Sequence, residues 1–147
     1  MNNLAVFPSK PVRSTAVIAN TAMGSVNTSA PTNTVILVGT GANAQFSADG
    51  SVLVKLQCTH RATTTAATIV WLFRKVGAVY TPLAFCQMPM QTVDGTNMPQ
   101  TKEFTWTSSS DPRGFNSSDE LAVGVFTAPG AEIIVHAEFY NLSSNGA

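Results

Sequence analysis

From about residue 33 onward, apolar and polar side chains alternate with a period of two, which is the period of a strand and not of a helix. Val52, Val54, Leu56 and Cys58 alternate with Leu53, Lys55, Gln57 and Thr59. Ile133, Val135, Ala137 and Phe139 alternate with Ile134, His136, Glu138 and Tyr140. Leu121, Val123 and Val125 alternate with smaller residues, and Phe104 and Trp106 share a face opposite Glu103, Thr105 and Thr107. The run from Ala67 to Phe73 is apolar on both faces, which predicts a strand in the middle of a sheet. No window places apolar residues at i, i+3, i+4 and i+7 over three turns, so almost no helix is expected.

Turn residues cut this pattern into about eight strands. Thr40-Gly41-Ala42-Asn43, Val76-Gly77 and Asp94-Gly95 read as turns, and Asp49-Gly50 and Pro129-Gly130 as short hairpin links. Ser108 to Ser118 and Pro89 to Pro99 read as longer surface loops. Such spacing in one domain predicts an antiparallel β-sandwich of all-β class, jelly-roll-like, over residues 31–147. An immunoglobulin domain fits less well, because Cys58 and Cys86 lie too close in sequence for its inter-sheet bridge. Both cysteines fall in strand-like runs and read as buried thiols, with one inter-strand disulfide as the alternative. Residues 1–30 differ from the rest: Pro8 and Pro11 favour an extended chain, and Leu4, Val6 and Phe7 are apolar with nothing local to cover them. An extended N-terminal arm is expected there, docked on its own body or on a neighbour.

Charge excludes several kinds of partner. Only 11% of the 147 residues are charged, and the formal net charge is zero. A typical soluble domain carries roughly 25%. Eight scattered basic residues balanced by eight acids make no stripe for phosphates, so no nucleic-acid partner is expected. A weakly charged surface suits a subunit that works packed against other subunits. Met1 to Ala22 shows no signal-peptide pattern and no apolar run approaches a membrane span, so synthesis in a cytoplasm and no membrane partner are expected.

Candidate chemistry is sparse. His136 and Glu138 leave one face of a strand and could begin a metal or acid–base site, but a third ligand is missing nearby, so a polar outer face is the better reading. Cys58 and His60 point the same way without facing each other. The acids fall mostly in turns and at strand ends, and no Gly-x-Ser-x-Gly elbow or phosphate loop occurs. No catalytic residue, metal, cofactor or small-molecule substrate is expected. A glycan-binding role would need exposed aromatic residues among Trp71, Trp106 and Tyr80. Trp71 reads as core, and Trp106, beside a Ser-rich loop, as the better candidate for exposure.

Several blocks recur in a recognisable order: Thr40-Gly41-Ala42-Asn43, Val54-Lys55-Leu56, and Thr63 to Thr68 leading into Trp71-Leu72-Phe73-Arg74. Gly77 and Tyr80, a strand from Thr101 to Trp106, and Asp119 to Val125 follow. Over residues 33–142 the chain resembles small jelly-roll virion proteins of tailed phages, of head decoration or cement type. Where a second glycine would follow the first motif, this chain has Ala44-Gln45-Phe46. The resemblance implies a non-enzymatic subunit on the outer surface of the capsid. Its partners would be the major capsid protein and copies of itself, as dimer or trimer. The contact residues expected on that reading are Val6, Phe7, Pro8, Pro11, Val12 and Arg13 in the arm, with Met88, Met90, Arg113 and Phe115 in loops. Removing residues 1–20 is then expected to abolish binding and leave the sandwich folded. A tail, neck or fibre component and a glycan-binding adhesion module are the competing expectations.

Overall fold

A computed structural model describes residues 7–24, 31–40, 45–107 and 114–143, with the backbone alone for residues 7–10. The described residues contain no helix and form two antiparallel sheets of five strands each, a β-sandwich. The strands are β1 (Phe7–Ile18), β2 (Val35–Val38), β3 (Ser51–His60), β4 (Thr68–Val76) and β5 (Val79–Met88), followed by β6 (Thr101–Glu103), β7 (Thr105–Trp106), β8 (Gly114–Phe115), β9 (Glu120–Val125) and β10 (Ile133–Ser143). One sheet runs β1-β10-β3-β6, with β8 also paired to β3. The other runs β2-β9-β4-β5-β7. The described residues hold ten strands where about eight were expected: the segment read as an arm supplies β1, the run Thr101 to Trp106 is split into β6 and β7, and β8 is too short to show a period of its own.

The alternation decides which side chains enter the core. From β10, Ile133, Val135, Ala137 and Phe139 point inward, and from β4 and β9 Val70, Leu72, Val123 and Val125 meet them. Burying each of these side chains other than Ala137 contributes about 1.5–3 kcal/mol. The strand β4 lies between β9 and β5, as its two-sided apolar run predicts. In β3 the simple alternation fails. A bulge opposite Glu138 and Phe139 leaves Val54 and Lys55 both exposed, so Leu53 and Leu56 both reach the core. A second bulge buries Leu83 and Ala84 side by side in β5.

The segment expected as a separate arm is, from Phe7 to Ile18, the edge strand of the first sheet. It pairs with β10 from Phe7↔Ser143 to Ile18↔Ile133. Ala16 and Ile18 are buried core residues, and Val12 packs against the core. Deleting residues 1–20 would therefore strip the sheet as well as any contact, which corrects the clean deletion expected from sequence. Both open sides of the sandwich are narrowed. On one, Ser14 Oγ donates to the carbonyl of Leu37 in the facing sheet. On the other, the chain crosses between sheets at Phe104, whose amide donates to Leu56 of β3, while Thr107 donates to Leu83 of β5.

Turn chemistry was legible, but not what the turns connect. Gly77, at φ 59°, makes the tight β4–β5 hairpin. Gly50 (φ 108°) and Gly130 (φ 91°) also take the left-handed conformations that favour glycine. They do not close hairpins, because β2 and β3, like β9 and β10, belong to different sheets. These turns carry the chain across the sandwich.

Candidate interaction surface

Three loops meet at the end of the sandwich where β3, β5 and β9 finish: residues 61–67, 89–100 and 126–132. The threonine run Thr63-Thr64-Thr65 clasps them together. Thr63 Oγ1 accepts from the amide of Val93 at 2.9 Å, and Thr64 Oγ1 from that of Gln91 at 2.9 Å. The amide of Thr65 donates to Pro129 at 2.8 Å. Gln91 braces its own loop, giving Nε2 to the carbonyl of Met98 at 2.7 Å and accepting from the amide of Gln100 at 2.9 Å. Asp94 closes the loop tip. Its carboxylate accepts from the amides of Thr96 and Asn97 and from both side chains, and these bonds lower its pKa to about 2.

This bonded platform holds three large apolar side chains in solvent. Met90 is 63% exposed, Met98 80% and Phe126 52%. Phe126, with Ile69, Gln87, Pro89, Lys102 and Thr127, lines an open groove of about 440 Å³. A fixed backbone with exposed methionine and phenylalanine offers adaptable apolar contact at low ordering cost.

Of the contact residues expected from sequence, Met90 alone belongs to this platform. Met88, two residues earlier, is 1% exposed: it points inward together with its cross-strand partner Thr68 and fills the core. Phe115 is 3% exposed, stacked on Phe46 at 5.0 Å with the Arg74 guanidinium 4.9 Å above its ring. Both leave the set of surface contacts because core packing consumes their side chains. Pro11 and Arg13 are exposed on β1, and Arg13 pairs with Glu138 across the strand at 3.2 Å. Phe7 and Pro8 lie in the backbone of β1, and Val6 and Arg113 lie outside the described residues. Val12 is turned toward the core. Met98 and Phe126 were missed: a methionine in a loop and a phenylalanine ending a strand carry no local signal of exposure.

The other candidates fall into place. His136 and Glu138 share the outer face of the first sheet, where Thr15 Oγ1 lies 3.3 Å from His136 Nδ1 and Arg13 and Lys55 flank Glu138 in the neighbouring strands. Among the described residues no group of three His, Cys, Asp or Glu side chains is arranged to hold a metal ion. The tryptophans exchange their expected places. Trp106 packs against the core, whereas Trp71 lies half-buried on the outer face of the second sheet, 5.7 Å from Phe85. Trp71 stands one residue out of phase with Val70 and Leu72, which fixes its face.

His60 is 1% exposed, and neither ring nitrogen has a hydrogen-bond partner among the described residues. Burial lowers its pKa, because a charged imidazolium would lose its hydration there. No protein-family model and no curated protein matches the sequence.

Proposed function

We propose that the chain is a structural protein of a tailed-phage virion, a decoration or cement subunit on the outer surface of the capsid. It binds the major capsid protein and copies of itself, and it performs no catalysis. The observation that carries this reading is the apolar platform: Met90, Met98 and Phe126 stand in solvent on loops that hydrogen bonds hold in place. An exposed apolar patch of this kind is costly on a free monomer and useful at an interface.

The strand order supports a jelly roll. The pairs β1/β10, β2/β9, β3/β8 and β4/β5 nest inside one another as an antiparallel ribbon does when rolled into two sheets. Such folds recur in capsid proteins, and the sequence resemblance points the same way. The low charge agrees with a surface that other subunits cover. The mechanism is multivalent stapling: a weak contact per subunit becomes strong when an oligomer engages several capsid subunits at once. The subunit is made in the host cytoplasm and joins the shell there.

Co-sedimentation with particles lacking the protein, followed by cryo-electron microscopy of the pellet, tests the proposal. Regular density between capsomers or at symmetry axes is the expected result. Density at the tail alone would move the protein to the tail, neck or fibre reading. The half-buried Trp71–Phe85 pair favours one other reading, glycan binding by ring stacking. Oligosaccharide affinity lost in Trp71→Ala, with no particle density, would establish that reading instead.

A further inference from the structure

The two cysteines come from opposite sheets and meet inside the sandwich. Cys58 points inward from β3, paired with Val135, and Cys86 points inward from β5, paired with Val70. Both are buried residues of one core cluster, and each thiol shifts the pKa of the other, as only neighbouring groups do. Cys86 Sγ also lies 3.6 Å from Met88 Sδ. Lys102 of β6, the cross-strand partner of Cys58, brings its charge near Cys86. Lys102 also lines the open groove beside Phe126, together with Met88, the sulfur neighbour of Cys86, so the groove comes within one side chain of the pair.

We propose that Cys58 and Cys86 are the site of an oxidative cross-link, an inter-sheet disulfide made by a small peroxide entering along the Lys102 side. Cys86 is the attacking sulfur. The neighbouring Cys58 thiol lowers its pKa against the opposing effect of burial, and Lys102 adds to the lowering, whereas burial raises that of Cys58. In the first step the Cys86 sulfur attacks one peroxide oxygen and the O–O bond breaks. The products are a sulfenic acid and one water. In the second, the Cys58 sulfur attacks the Cys86 sulfur, the S–O bond breaks, and hydroxide leaves with the Cys58 proton as a second water. Each sulfur is oxidised by one electron and the peroxide is reduced to two waters. The cross-link ties β3 to β5 and so joins the two sheets near the crossover at Phe104. A reducing compartment keeps the thiols free, and an oxidising medium closes them.

The test uses the reduced full chain and hydrogen peroxide. After treatment the protein is unfolded, alkylated and mapped by mass spectrometry without reductant. The solvent-exposed Met90 and Met98 report delivery of oxidant through their sulfoxides. The expected result is one joined peptide carrying Cys58 and Cys86 in a monomeric chain. A midpoint of thermal unfolding raised by about 10 °C and returned by reductant is expected with it. Two fully alkylated cysteines beside oxidised Met90 and Met98 would overturn the proposal. So would a disulfide between chains, or sulfinic acid at Cys86 beside a free Cys58. In Cys58→Ala, a sulfenic acid trapped at Cys86 by a cyclic diketone is expected; the wild-type mapping decides the question if that variant does not fold.

Discussion

Single residues set the tolerance of this fold more sharply than its strand pattern suggests. Gly130 combines φ 91° with a close approach to Thr65: a Cβ there would lie 3.0 Å from the Thr65 amide nitrogen and closer still to its hydroxyl. Gly130→Ala is expected to cost about 2 kcal/mol, read as a lower denaturation midpoint at unchanged slope. His60 makes stability depend on pH. Its folded pKa is lowered, so the unfolded chain takes up a proton first, below pH about 6.5. Stability is therefore complete above that value and falls as the pH drops below it. Asp94, held at about 2, acts only in far more acid solution, so the two windows separate. The unfolding midpoint of the wild type is expected to drop between pH 7.5 and 5.5, and less in His60→Leu; equal drops in both would exclude His60 as the source. At this scale the sequence was legible in part. Period two placed Val135 and Phe139 inside, but it could not show that a bulge would turn Leu53 and Leu56 to the same side.

Among the elements, the crossing from β6 to β7 has the largest consequence. Phe104 sits where the chain leaves one sheet for the other, packed on the core, with its amide bonded to Leu56. Read as sequence, Thr101 to Trp106 is one strand with Phe104 and Trp106 on one face. The inward face is right, and the split is invisible, because no residue in the run breaks the period. Phe104→Ala is expected to cost about 3 kcal/mol and to speed hydrogen exchange at the amides of Phe104 and Thr107 before those of β9. Unchanged exchange at those two amides would mean that the seam is held elsewhere. The N-terminal strand shows the same limit. Pro8 and Pro11 disfavour a central strand, and β1 takes the edge position that tolerates them. Composition alone marked that segment as an arm, since its partner β10 lies at the far end of the chain.

For the whole molecule, the proposed function makes stability and binding separable. Met90, Met98 and Phe126 are exposed, so replacing all three by serine is expected to change folding stability by less than about 1 kcal/mol. The same triple variant is expected to bind capsid particles at least tenfold more weakly, measured by co-sedimentation across protein concentration. Full binding by a folded triple variant would remove the platform from the interface. Two of these three residues escaped the sequence reading, and two that it named, Met88 and Phe115, belong to the core. Local pattern cannot tell a methionine at the last inward position of a strand from one two residues later in the loop.

By itself, then, the sequence determined what is local: extended backbone, alternating faces, glycine turns and a surface poor in charge. These follow from φ/ψ preference and from side chains a few residues apart, which the chain order states directly. Tertiary structure alone decided which sheet each strand joined, where bulges reset the faces, and which loops the threonine run ties together. It also brought Cys58 against Cys86 and left Met98 and Phe126 in solvent. Those outcomes depend on pairings between distant segments, such as β1 with β10, whose free energy is shared across the whole sandwich and written in no single stretch of chain.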